Sequence, residues 1–146
     1  MSRIQRVVFD TSTLVSAALR IGSMPHRALL RAYRDCDVCA SVATLAELEE
    51  VLDRGKFDRY VNREERQRFL AAIRRNAYLF AVQDAAITVI DPPCRDPADH
   101  HVLALVLAAE AHLIVSSDAD LLVLHPWRGI PIVTPTEFLA RLELSS

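Results

Sequence analysis

Glycine, lysine, cysteine and long apolar runs are all scarce in this chain of 146 residues, and each scarcity excludes something. Three glycines, with no repeat and no low-complexity stretch, exclude a disordered linker-like chain and suit a compact, helix-rich globular domain. Three cysteines, Cys36, Cys39 and Cys94, are odd in number and do not make a disulfide framework, so reduced thiols and a cytoplasmic setting are expected. The N-terminal apolar stretch, Ile4 and Val7 to Phe9, is interrupted by Arg6 and Asp10, which leaves neither a signal-peptide core nor a membrane span. The only lysine is Lys56.

Half of the residues are apolar and a quarter charged, and the length fits one domain over residues 1–146 that buries its own core without staples. Net charge is −2, so no global attraction to nucleic acid is expected. The halves differ, however: residues 1–75 carry 14 basic and 10 acidic side chains, residues 76–146 carry 3 and 9. Sixteen of the seventeen basic residues are arginine, whose planar fork suits bidentate phosphate contacts. The plain alternative is ordinary solvated helix faces.

Strand-like runs occur at Ile4 to Phe9, Val38 to Ala40, Ile87 to Ile90, Leu113 to Val115 and Ile130 to Val133. Between them lie helical patterns. Thr11 or Ser12 can cap a first helix, Pro25 opens a second, Ser41 to Leu52 carries a leucine stripe, and Arg63 to Phe80 reads as one long amphipathic helix. Pro97 opens a helix that is apolar nearly all round through Ala109, a short helix runs from Asp118 to Leu122, and Thr134-Pro135-Thr136-Glu137 is a capping box for the last helix. Strands that are apolar on both faces, alternating with helices, predict an α/β domain. Its centre is a mainly parallel twisted sheet of about five short strands, with helices on both faces.

In such sheets ligands bind beyond the carboxyl ends of the strands. Asp10 and Asp118 stand at that end of predicted strands, and Glu47 and Asp99 stand in the first turns of helices. Each acid also has a plain structural use: Asp96 as a cap before Pro97, Asp99 in an acidic first turn, Asp118 as a cap, Asp10 as a turn residue, and Glu47 in a possible capping box with Thr44. Capping does not explain why two buried-looking strands run straight into carboxylates. Clustered carboxylates repel one another and require a counter-charge, which a hard divalent cation with oxygen ligands supplies. Such a cation can activate water and steady the charge on a phosphodiester.

Five segments, taken together, resemble the PIN-domain proteins: Val7-Val8-Phe9-Asp10-Thr11; Leu45-Ala46-Glu47-Leu48 running to Lys56-Phe57; Arg95-Asp96-Pro97-Ala98-Asp99; Ser117-Asp118-Ala119-Asp120-Leu121-Leu122; and Thr134-Pro135-Thr136-Glu137-Phe138-Leu139. They most resemble the subgroup regarded as toxin components of bacterial toxin–antitoxin pairs. The resemblance covers nearly the whole chain. It implies a PIN fold acting as a Mg²⁺- or Mn²⁺-dependent endoribonuclease on single-stranded RNA through a cation-activated water, a homodimer, and an antitoxin partner. By position it implies Asp10, Glu47, Asp99 and Asp118 as the metal-binding and catalytic acids. Asp96 and Asp120 would be nearby supports, and Thr11 and Ser116 orienting hydroxyls. The chain departs from its relatives at Ser12, where they often have Asn, and at His100, where they often have a further carboxylate.

Other constellations lead less far. Cys36 and Cys39 have half of a zinc-site spacing without a second pair, and Cys94 has no evident partner. His100 and His101 could support imidazole acid–base cleavage of RNA, but adjacent helical residues point about 100° apart. A nucleophilic Asp10 of the phosphatase kind would want a second Asp where Ser12 stands and a nearby lysine. From another class, the chain could be a catalytically inactive PIN scaffold that binds protein or RNA; the apolar stripe of Arg63 to Phe80 could serve a partner helix or a second copy, and could equally be core.

Overall fold

In the computed structural model, residues 5–145 are described, so Ile4 of the predicted first strand lies outside them. The strands are β1 (Arg6–Phe9), β2 (Asp37–Ser41), β3 (Tyr78–Phe80), β4 (Leu113–Val115) and β5 (Ile132–Val133). They form one five-stranded sheet in the order β3-β2-β1-β4-β5, every pairing parallel. The helices are α1 (Thr11–Leu19), α2 (Met24–Asp35), α3 (Val42–Leu52), α4 (Arg63–Asn76), α5 (Asp84–Thr88), α6 (His100–Ala109), α7 (Ala119–Leu122) and α8 (Pro135–Ser145).

Strand alternation divides the core in two. Val7, Phe9, Val38, Leu113, Val115 and Val133 face a layer built from α1, α2, α3, α4 and α8, where Phe138 meets Phe9 edge to face at 6.0 Å. Val8, Cys39, Ile114 and Ile132 face the opposite layer of α6, α7 and Trp127. Residues 102–106 of α6 are all buried, which is why this helix is apolar on every side. Each such Val or Leu contributes roughly 1.5–3 kcal/mol by leaving water. The β1–β4 pair at the centre of the sheet therefore ends in a rigid platform.

Two expected elements are corrected. The third strand is Tyr78–Phe80, not Ile87 to Ile90, and the long helix stops at Asn76. The apolar positions of Tyr78 to Phe80 continue the helical spacing of α4, but Asn76 turns its side-chain amide onto the Ala72 carbonyl and Ala77 closes the last turn onto Ile73. The freed segment then pairs with Cys39–Ser41 of β2. Residues 87 and 88 belong instead to α5, begun by Asp84. The stripe offered for a partner helix is also core, since Leu70 and Ile73 of α4 are buried.

The scarcity of glycine shows at two left-handed positions. Glu110 ends α6 at φ 52°, and Arg128 precedes Gly129 at φ 50° and 80° in a two-residue turn that pairs Trp127 with Ile130 in both directions. Trp127 donates its indole N–H to the Pro92 carbonyl at 2.8 Å, tying this turn to the loop that leads into α6.

Candidate metal centre

β1 delivers Asp10 and β4, through Ser116 and Ser117, delivers Asp118 at the carboxyl end of the two central strands. Asp10 itself, rather than Thr11 or Ser12, caps α1: its Oδ1 accepts the Thr13 N–H at 3.3 Å. Its Oδ2 accepts hydroxyl bonds from Ser12 at 3.0 Å and from Ser116 at 2.9 Å. Ser116, fully buried, also accepts the Asp118 N–H at 2.9 Å, so one hydroxyl fixes the spacing between the two acids. Asp118 caps α7 by accepting the Asp120 N–H at 2.9 Å.

Asp99 differs from these. It ends a single 3-10 turn (Pro97–Asp99) opened by Asp96, which accepts the Ala98 N–H at 3.0 Å, and it precedes α6 without using its carboxylate as a cap. Capping therefore accounts for Asp96 and for part of Asp10 and Asp118, but not for Asp99. One carboxylate oxygen from each of Asp10, Asp99 and Asp118 lies within 4.8 Å of the others. Among the described residues, none of the ion pairs reaches these three acids.

The electrostatic consequence is marked at Asp99. Burial, then the charge of Asp118, with Asp10 and Asp96 adding to it, pushes its carboxyl up to about 7. Asp10 is also raised, by burial, against the hydrogen bonds it accepts. An uncompensated carboxylate trio that is expensive to ionise is what a divalent cation with oxygen ligands relieves, so these three residues fit such an ion.

The remaining expected residues surround the trio. Glu47 on α3 is not within this group; it is half-buried, raised mainly by burial, with the Thr11 hydroxyl and His101 favouring its charge. Asp120 contributes its backbone, and Asp96 is exposed. His100 is not within the group, and its Nε2 accepts the Cys94 N–H at 3.1 Å. The residue that sequence reasoning missed is Cys94, buried, with its sulfur 3.5 Å from Asp99 Oδ2 and 3.4 Å from the Asp120 carbonyl. Only its position just before the acidic turn hinted at this. Cys36 and Cys39 fall in opposite core layers, as strand alternation requires.

The arginines of the first half are largely committed to local partners. Arg31, Arg34, Arg54, Arg63, Arg68 and Arg74 form ion pairs with nearby acids, and Arg66 is buried. The plain reading of solvated helix faces holds for these residues.

The family model for the PIN domain matches residues 6–120, a span that contains all four expected acids. The chain belongs to the PIN-domain family. Solved structures similar to this PIN domain include PAE2754 from Pyrobaculum aerophilum, at 14% identity, covering 97% of this chain and 99% of that one with a TM-score of 0.66. VapBC2 from Rickettsia felis, solved bound to a DNA fragment from their promoter, is 12% identical over 88% of this chain and 98% of that one, with a TM-score of 0.64. VapC20 from Mycobacterium tuberculosis, described as a sarcin-ricin loop cleaving toxin, is 19% identical over 78% of this chain and 91% of that one, with a TM-score of 0.53. At these identities the likeness carries the PIN fold alone. No curated protein matches the sequence. Among the described residues, no helix of this PIN domain is long and apolar enough to cross a membrane.

Proposed function

We propose that this PIN domain is a divalent-cation-dependent endoribonuclease that hydrolyses single-stranded RNA. Asp10, Asp99 and Asp118 would hold Mg²⁺ or Mn²⁺, with Glu47 as an outer carboxylate on the substrate side. The observation that carries the proposal is the convergence of three carboxylates, one of them free of any capping duty and none balanced by a described ion pair. When bound, the cation would supply charge neutralisation at the phosphodiester and a more acidic attacking water.

The chain's own residues divide the remaining work. Ser116 holds Asp10 and Asp118 at a fixed spacing, and Asp96 shapes the turn that presents Asp99. Glu47, beside Thr11 and His101, would orient water or the RNA 2′-hydroxyl. The paired imidazole mechanism loses support because His100 Nε2 is occupied by the Cys94 backbone.

A toxin role in a toxin–antitoxin pair, in the cytoplasm, is supported by the family resemblance and by the description of VapC20 as a toxin. An antitoxin partner is supported by the resemblance and by the likeness to the VapBC2 complex, and a homodimeric state rests on the resemblance alone. The test is cleavage of end-labelled single-stranded RNA with Mn²⁺. The proposal expects EDTA-sensitive cleavage that leaves 5′-phosphate ends. EDTA-resistant cleavage leaving a cyclic phosphate would point to acid–base chemistry instead, and no cleavage with no Mn²⁺ uptake would favour a binding scaffold.

A further inference from the structure

Cys94 occupies a position that its residue type does not announce. Its sulfur lies 3.5 Å from Asp99 Oδ2 and 3.4 Å from the backbone carbonyl of Asp120, so the single thiol hydrogen can be donated to either acceptor. These acceptors belong to different parts of the fold. Asp99 precedes α6, while Asp120 lies in the first turn of α7, the helix that Asp118 caps. The cysteine's own backbone is held in turn: its N–H is accepted by His100 Nε2 at 3.1 Å, and two residues earlier the Pro92 carbonyl is held by Trp127.

We propose that Cys94 is a positioning residue for the cation site, a thiol latch that holds the Asp99 carboxylate against the start of α7 and so fixes its distance from Asp118. The inference rests on the cation-site reading above. Its physical basis is that Asp99, Asp118 and Asp10 repel one another when no cation is bound, so the unrestrained member of the trio would swing outward. Asp10 and Asp118 cannot do so, because Ser116, Thr13 and the Asp120 N–H hold them. Asp99 has no capping bond, and the thiol is the side-chain partner that retains it. His100, which accepts the Cys94 N–H, would thereby act as a support of the latch and not as a ligand.

Residues that orient metal ligands through hydrogen bonds typically change metal affinity by 10- to 100-fold when removed. A thiol is a weak donor, so the lower end applies. The experiment is calorimetric titration of MnCl₂ into the full chain as wild type, Cys94→Val and Cys94→Ser, with thermal unfolding of each metal-free protein alongside. Valine keeps the buried apolar volume and removes the donor; serine keeps a donor. The expected result is Mn²⁺ affinity weakened about 10-fold in Cys94→Val and retained to within about threefold in Cys94→Ser, with all three proteins folded. Wild-type affinity in Cys94→Val overturns the latch and leaves the cation site standing. Equal weakening in both variants also overturns it, because packing would then be the cause. Absence of Mn²⁺ binding in the wild type overturns the cation site itself, and the latch with it. Should Cys94→Val fail to fold, the serine variant decides: about 10-fold weakening in a folded Cys94→Ser refutes a role for the donor.

Discussion

Replacing Asp99 by asparagine should stabilise the cation-free protein at alkaline pH while removing its response to Mn²⁺. In the unfolded chain Asp99 ionises at its ordinary value near 3.8, whereas in the folded protein burial and the neighbouring acids raise it to about 7. Between these values the folded state keeps a proton that the unfolded state has released. Stability therefore falls as pH rises from about 4 to about 7 and stays reduced above that. At about 1.36 kcal/mol per unit, a fully buried group would account for about 4 kcal/mol. Asp99 is only half-buried, and solvent screening brings this to about 1–2 kcal/mol. Asparagine cannot ionise, has nearly the same shape, and still offers an oxygen to the Cys94 thiol. Asp99→Asn should thus raise the melting temperature of EDTA-treated protein by roughly 3–8 °C at pH 8 and by only about a third as much at pH 5. Saturating Mn²⁺ should stabilise the wild type at pH 8 but not the variant. The assay is calorimetric or circular-dichroism melting at both pH values, with and without MnCl₂. A variant no more stable than wild type at pH 8, or one stabilised equally at both pH values, would refute the electrostatic reasoning.

Two further predictions concern the scaffold. Arg66 is almost wholly buried and donates to the Leu52 carbonyl at 2.6 Å, the Val61 carbonyl at 2.5 Å and Asp58 at 2.8 Å, so Arg66→Ala orphans two carbonyls and should cost about 3 kcal/mol or more in urea unfolding; a loss under about 1 kcal/mol would mean that this guanidinium is dispensable. Glu110 closes α6 at φ 52°, where only glycine is unstrained, and its contact with Arg6 is a long, exposed 3.9 Å, so Glu110→Gly should raise stability by about 1 kcal/mol, and a drop in melting temperature would show that Glu110 has a role beyond the helix end.

How much of this was legible in the chain depends on the range of the interactions. β1 and β4 could be read from short β-branched runs, and because both end in polar residues, Asp10 and Asp118 could be placed at one sheet edge before any topology was known. The parallel five-stranded sheet with helices on both faces followed from the same runs. Local chemistry was also legible where one partner lay within four residues: Asp96 and Asp118 as caps, and Thr134 with Glu137 at the start of α8. The third strand was not, because Tyr78, Leu79 and Phe80 continue the apolar spacing of α4, and only pairing with β2 decides that they extend. Nor could spacing reveal that Glu47 stands outside the Asp10–Asp99–Asp118 group, that His100 turns toward Cys94, or that the thiol meets the Asp120 carbonyl across 26 positions of sequence. The arginine-rich first half promised phosphate contacts by composition, yet composition does not show that Arg31, Arg54, Arg63 and Arg68 each pair with an acid within ten residues.

The central claim is that the three-carboxylate centre cleaves RNA with the help of a divalent cation. It is tested most directly by incubating labelled single-stranded RNA and Mn²⁺ with wild type, Asp10→Asn and Asp99→Asn, each verified as folded by circular dichroism. Wild type should cleave, and both variants should lose at least about 100-fold, since each removes one of three converging charges. Equal cleavage by all three proteins would contradict it.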